Sequence, residues 1–117
     1  MSRHDPGPAA PADVLQGTLD MLILTVVALE PIHGYAIVQR LRQLSKDALV
    51  VRQGSLYPAL YRLERKGWLK AEWKATDTGR EAKFYSLTRA GRRQLEAERA
   101  AWRNLSDAIA LVLRAAE

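Results

Sequence analysis

Residues Gln53 to Trp68 run QGSLYPALYRLERKGW. Leu56, Leu60 and Leu63 fall at i, i+4 and i+7, the spacing of one buried stripe on an α-helix. Ser55 is placed to cap that helix, and Pro58 suits a first turn, where its missing N–H costs nothing. Ala59, Arg62 and Lys66 make an opposite polar face flanked by Tyr57 and Tyr61, and Gly67 is a natural stop. Directly after it the hydrophobic period changes from helical to two. Leu69, Ala71 and Trp73 alternate with Lys70, Glu72 and Lys74, and the turn-like TDTGRE of residues 76–81 leads into a second extended run, AKFYSL, at 82–87. That pattern predicts a β-hairpin with a polar, partly basic tip.

Upstream, a first helix is expected from Asp13, with Leu15, Leu19, Leu22, Ile23, Val26 and Val27 on one broad stripe and Pro31 ending it. A second, about Tyr35 to Leu44, buries Ile37, Val38, Leu41 and Leu44, and a brief extended segment is expected at Leu49 to Val51. Residues 1–12, with three prolines and no apolar period, read as a disordered leader. Downstream, Thr88 caps a long helix reaching about Arg114. Its Leu95, Trp102 and Ile109 recur every seven residues, with Leu105 and Val112 in the slots between and Glu98 interrupting them. That is the spacing of a helix–helix seam, on a helix too long for the preceding domain to cover, so it calls for a partner.

Three helices, a hairpin and a trailing helix give a mainly α fold with a small β-hairpin. The layout is a winged helix-turn-helix over residues 13–87 followed by a long C-terminal dimerisation helix over 88–115.

At 117 residues the chain suits one compact domain. It has no cysteine, which excludes a disulfide scaffold, a thiolate metal site and a cysteine nucleophile, and fits a reducing compartment. Its longest apolar run, Met21 to Leu29, is far short of the roughly 20 residues that span a bilayer, and a cytoplasmic location is expected. The net charge of +5 is unevenly spread: residues 32–94 carry fourteen Lys and Arg against five acids, while both ends are mildly acidic. A basic centre suits a polyanion, though a solubilising surface has the same composition. Its seven glycines are scattered rather than gathered in a phosphate loop, and His4 and His33 make no base or metal pair. No catalytic residue, metal site or cofactor is expected.

In a winged helix the third helix enters the major groove and the wing reaches the neighbouring backbone. Gln53, Ser55 and Tyr57 at the start of the third helix, with Arg62 and Lys66 along it, are the candidate DNA contacts. Lys74, Arg80 and Lys83 around the hairpin tip are candidates to neutralise phosphates. Each has a plainer reading: Tyr57 and Tyr61 as aromatics at the rim of the core, Arg62 and Lys66 as solvated charges. A winged helix can also bind protein or RNA.

The chain resembles the PadR family of bacterial transcriptional regulators, in its small members with a single helix after the wing. The resemblance runs from about Leu15 to Ile109. Its strongest pieces are Leu15-Gln16-Gly17-Thr18-Leu19, His33-Gly34-Tyr35, Gly54-Ser55-Leu56-Tyr57-Pro58, Leu63-Glu64 with Gly67, and Tyr85-Ser86-Leu87-Thr88 with Gly91. It implies a homodimeric repressor bound to a near-palindromic double-stranded DNA operator. Leu15, Leu19 and Leu22 of the first helix would then pack with Leu95, Trp102, Leu105 and Ile109 of the last. The same resemblance implies that Tyr35, Ser55 and Tyr57 lie at the DNA surface, with Lys83 helping from the wing. It makes Trp102, near the dimer axis, a candidate to stack on a small aromatic effector, beside the plainer role of packing. Glu81-Ala82-Lys83 departs from the consecutive arginines that many members carry there, which weakens the expectation for the wing.

Overall fold

The structure, a computed structural model, describes residues 12–13 and 16–117. The expected leader, apart from Ala12, and Leu15 lie outside the described residues. In chain order the elements are β1 (Ala12–Asp13), α1 (Gln16–Leu29), β2 (Ile32–His33), α2 (Gly34–Leu44), β3 (Leu49–Val50), α3 (Gln53–Arg65), β4 (Leu69–Ala75), β5 (Glu81–Leu87) and α4 (Arg89–Ala115).

The core is aliphatic and centred on α1. Leu19, Ile23, Leu24 and Val26 of α1 meet Ile37 of α2 and Leu56, Leu60 and Leu63 of α3, all essentially inaccessible. Leu69 and Tyr85 close the core from the sheet, and Leu95 from α4. Burial of this kind, at about 25 cal/mol per Å² of apolar surface, is what holds the three helices together.

The start of the chain departs from the expected pattern. Asp13 does not begin the first helix but pairs in parallel with Val50, so that β1 lies along β3 and α1 starts at Gln16. The wing is also larger than a hairpin. β4 and β5 pair antiparallel from Leu69↔Leu87 to Ala75↔Glu81, and β2 adds a third strand through Ile32↔Tyr85 and His33↔Phe84. Two residues carry no readable period, so only the tertiary structure reveals this strand.

Helix ends follow local chemistry. The His33 ring accepts from the Ala36 N–H at 3.4 Å and caps α2. Ser55 is not the cap of α3: Arg52 holds that position without capping the helix through its side chain, which puts Ser55 inside the first turn and Pro58 six residues in. Pro58 therefore withholds an N–H from the Gly54 carbonyl, a site where a proline is normally disfavoured. Gly67, at φ +77°, turns the chain out of α3 in a backbone region that favours glycine.

Two packing expectations are corrected as well. Ala59, assigned to the polar face, is buried because α3 turns a wide apolar face inward, and Leu44 is exposed because the core ends at Leu41.

Thr88 joins wing to α4. Its hydroxyl donates to the Gly67 carbonyl at 2.6 Å and accepts from the Gly91 N–H at 2.9 Å, while its own N–H donates to the Trp68 carbonyl at 3.0 Å. From there α4 runs for 27 residues, about 40 Å at 1.5 Å per residue, and beyond Leu95 it has no buried residue.

Candidate nucleic-acid interface

Three elements meet on one side of the molecule: the start of α2, the Tyr57 flank of α3, and the near face of the wing. Between them lies a cleft of about 370 Å³ whose walls include Gly34, Tyr35, Tyr57, Trp73, Lys83 and Tyr85. Gly34 makes room for Tyr57, whose ring edge would stand 2.9 Å from any Cβ placed there. Tyr35, Tyr57 and Trp73 are 53%, 48% and 64% exposed, an unusual concentration of bare aromatic surface. Tyr85 at the base is buried, which raises its hydroxyl pKa, while the Lys83 charge beside it pulls the other way. The His33 ring stands edge-on to Phe84, their centroids 5.4 Å apart, and braces α2 against the wing.

Along α3 successive residues step by about 100°. The buried stripe therefore leaves Gly54, Pro58, Tyr61 and Arg65 pointing directly outward, with Gln53 and Ser55 exposed at the start. Arg65 lies over the Tyr61 ring at 5.7 Å and its Nη1 donates to the Tyr61 hydroxyl at 3.4 Å. Neither Arg65 nor Trp73 is among the contacts expected from sequence. Arg65 was signalled by its i+4 spacing from Tyr61. Trp73 was signalled by its place on the Leu69–Ala71 face, two residues beyond the end of the core.

Four of the expected cations are engaged with other side chains. Arg62 is tied towards α1, its Nη2 2.6 Å from Asp20 Oδ1, while its side chain still lines a surface groove with Pro58, Tyr61, Arg65 and Lys66. Lys66 sits over the Trp68 ring at 4.8 Å, and Lys74 over Phe84 at 5.9 Å. Lys83 pairs with Glu64 of α3 at 3.2 Å, tying the wing to the helix. Arg80 is exposed at the hairpin tip, where Thr76 holds the turn through bonds to the Arg80 carbonyl at 2.7 and 2.8 Å.

A second surface lies on α4. Trp102, Leu105, Ile109 and Val112 form an exposed apolar stripe, 48% to 68% accessible. Leu19 and Leu95, expected in the same interface, are instead inside this chain's own core, so they have no free surface for a partner; Leu22 is half-buried against that core. Where α4 leaves the domain, Gly17, Thr18 and Met21 of α1 face Glu98, Trp102 and Leu105 across a cleft of about 300 Å³. One Glu98 carboxylate oxygen is buried there without a hydrogen-bond partner. Burial raises the Glu98 pKa, and nearby Asp20 adds to the rise, while a hydrogen bond with Gln94 and the charge of Lys66 oppose it.

The helices, the three-stranded sheet and its projecting hairpin define a winged-helix protein. The chain belongs to the PadR-like family of transcriptional regulators, whose family model matches residues 23–97. It is 38% identical over 84 residues to a transcriptional regulator of Mycobacterium tuberculosis, a match covering 72% of this chain and 75% of that one. Among solved structures, a PadR family regulator from Eggerthella lenta superposes with a TM-score of 0.70 at 35% identity, covering 84% of this chain and 83% of the other. A PadR-like regulator from Bacillus cereus gives 0.73 at 28% identity, covering 85% and 94%. Its class is thus DNA-binding transcriptional regulation. No helix among the described residues is long and apolar enough to cross a membrane.

Proposed function

We propose that the protein is a homodimeric, sequence-specific repressor that acts in the cytoplasm on a near-palindromic DNA operator. The observation that carries this reading is the division of exposed surface into two parts. One is an outward α3 face of Tyr61 and Arg65 beside the aromatic cleft and the wing; the other is the unpartnered apolar stripe of α4. The first is shaped and charged for a DNA groove. The second is a continuous strip of a kind that isolated chains rarely leave in water. Two copies joined along α1 and α4 would present two recognition helices to half-sites about 34–36 Å apart. The α1–α4 cleft, apolar but for Thr18 and Glu98, is of a size to admit a small aromatic effector stacked on Trp102, whose binding would act on the dimer and release the DNA.

Footprinting on the DNA upstream of the protein's own gene, over a salt series and beside random DNA of equal length, tests the reading. A protected near-palindrome preferred at least ~10³-fold over random DNA is the expected result. Equal, salt-labile binding to both would overturn it. Transcription from the protected promoter, with and without the protein, distinguishes repression from activation.

A further inference from the structure

We infer that the Asp20–Arg62 ion pair is a stay that sets the rotation of α3, making Asp20 a positioning residue for the spacing of the two DNA half-sites; this rests on the dimeric DNA-binding reading above. The apolar face of α3 holds the helix in the core and sets which side faces outward. Two ion pairs, which unlike hydrophobic contact are directional, fix the remaining rotation about the axis. Arg62 binds Asp20 of α1 at 2.6 Å, across 42 positions of sequence, and Glu64 binds Lys83 of the wing at 3.2 Å. Residues two apart on a helix stand about 200° apart around it, so the two ties pull on opposite flanks of α3.

Of the two, the Asp20 tie is the shorter and the more sheltered. The Asp20 side chain is only 13% exposed and that of Arg62 30%, against 33% and 37% for Glu64 and Lys83. A sheltered carboxylate that loses its cation is left with an uncompensated charge, so the pair resists separation. Asp20 also stands near Glu98 of α4, and Glu98 near Lys66 of α3. Two carboxylates, Asp20 and Glu98, thus lie between two α3 cations, Arg62 and Lys66, at the junction of the recognition helix with the two helices assigned to the dimer. Arg62 is thereby removed from the phosphate-binding set and placed in the frame that carries α3. One base pair of half-site displacement is about 3.4 Å along the duplex, and only a recognition helix held in one orientation can discriminate against it.

The test uses a 30-base-pair duplex that the parent chain selects from random DNA, with one base pair then inserted or removed between its half-sites. Asp20→Asn and Arg62→Met are expected to lose at least ~10-fold on the selected duplex and to bind all three spacings with similar affinity. Their salt dependence should be unchanged, since no phosphate contact is removed. The double variant Asp20→Arg/Arg62→Asp, which keeps the pair in reverse, should recover the parent's spacing preference. If Arg62→Met instead flattens the salt dependence by about one phosphate, Arg62 touches DNA and the inference falls. It falls equally if the single variants keep the parent's spacing preference. Should the single variants fail to fold, a folded reverse pair without spacing preference also overturns it. A parent chain that selects no sequence would instead overturn the DNA-binding reading itself.

Discussion

A Cβ at position 91 would collide with the carbonyl oxygen of Trp68. That oxygen already accepts the Thr88 N–H, so neither it nor the first turn of α4 can withdraw without breaking the link between wing and helix. Gly91→Ala is therefore expected to destabilise the protein by about 3 kcal/mol, near the top of the range for overpacking. Urea unfolding measures it. A change below about 0.5 kcal/mol, ordinary for a surface substitution, would show that α4 is not held where described.

Gly34→Ala should behave differently. The obstacle there is the ring edge of Tyr57, the movable end of a side chain. Stability should change by less than about 1 kcal/mol, while displacement of Tyr57 from the cleft should weaken operator binding several-fold. Thermal unfolding and a DNA titration on one preparation separate the two effects; unaltered affinity would take Tyr57 out of the interface.

Arg65→Ala is expected to cost about 1–3 kcal/mol of operator affinity and to relax sequence preference, as for a cation that reaches base edges. A uniform loss on all sequences would place Arg65 on phosphate instead.

The stripe on α4 predicts that Trp102→Glu and Ile109→Glu each weaken self-association at least ~30-fold, corresponding to about 2 kcal/mol for a central interface residue. Sedimentation over a concentration series reads this directly. The folded domain should keep its unfolding midpoint when compared as monomer, because both side chains lie outside the core. Unchanged association would move the interface elsewhere.

Glu98 should make stability depend on pH. Burial, and then Asp20, raise its pKa against the opposing effects of Gln94 and Lys66. For an acid whose pKa rises on folding, the favourable contribution is present below the unfolded value and is lost as pH climbs through the folded one. Glu98→Gln should accordingly be more stable than the parent at neutral pH, with the gap closing towards about pH 4. Melting curves across that range check it, and a gap that widens in acid would contradict the assignment.

The order of elements was legible in the chain because each has a period longer than its ends. Leu56, Leu60 and Leu63 announced α3, the alternation around Trp73 announced the wing, and Thr88 capped α4 where its side chain predicted. Of the two-residue strands only β3 was legible, as the apolar run from Leu49; β1 and β2 were not, because they exist only where β3 and β5 are there to pair with them. The candidate site divides in the same way. Residue types on α3 and the wing pointed to a polyanion, since charge and aromatic content are properties of sequence. Which of them face outward is not, because a side chain's direction depends on what lies across from it. Asp20, 42 positions away, ties Arg62 to α1; Glu64 holds Lys83; and the end of the core beneath Ala71 leaves Trp73 bare. Local spacing alone therefore determined the kinds of surface this protein carries. Long-range packing and ion pairing decided which residues occupy them.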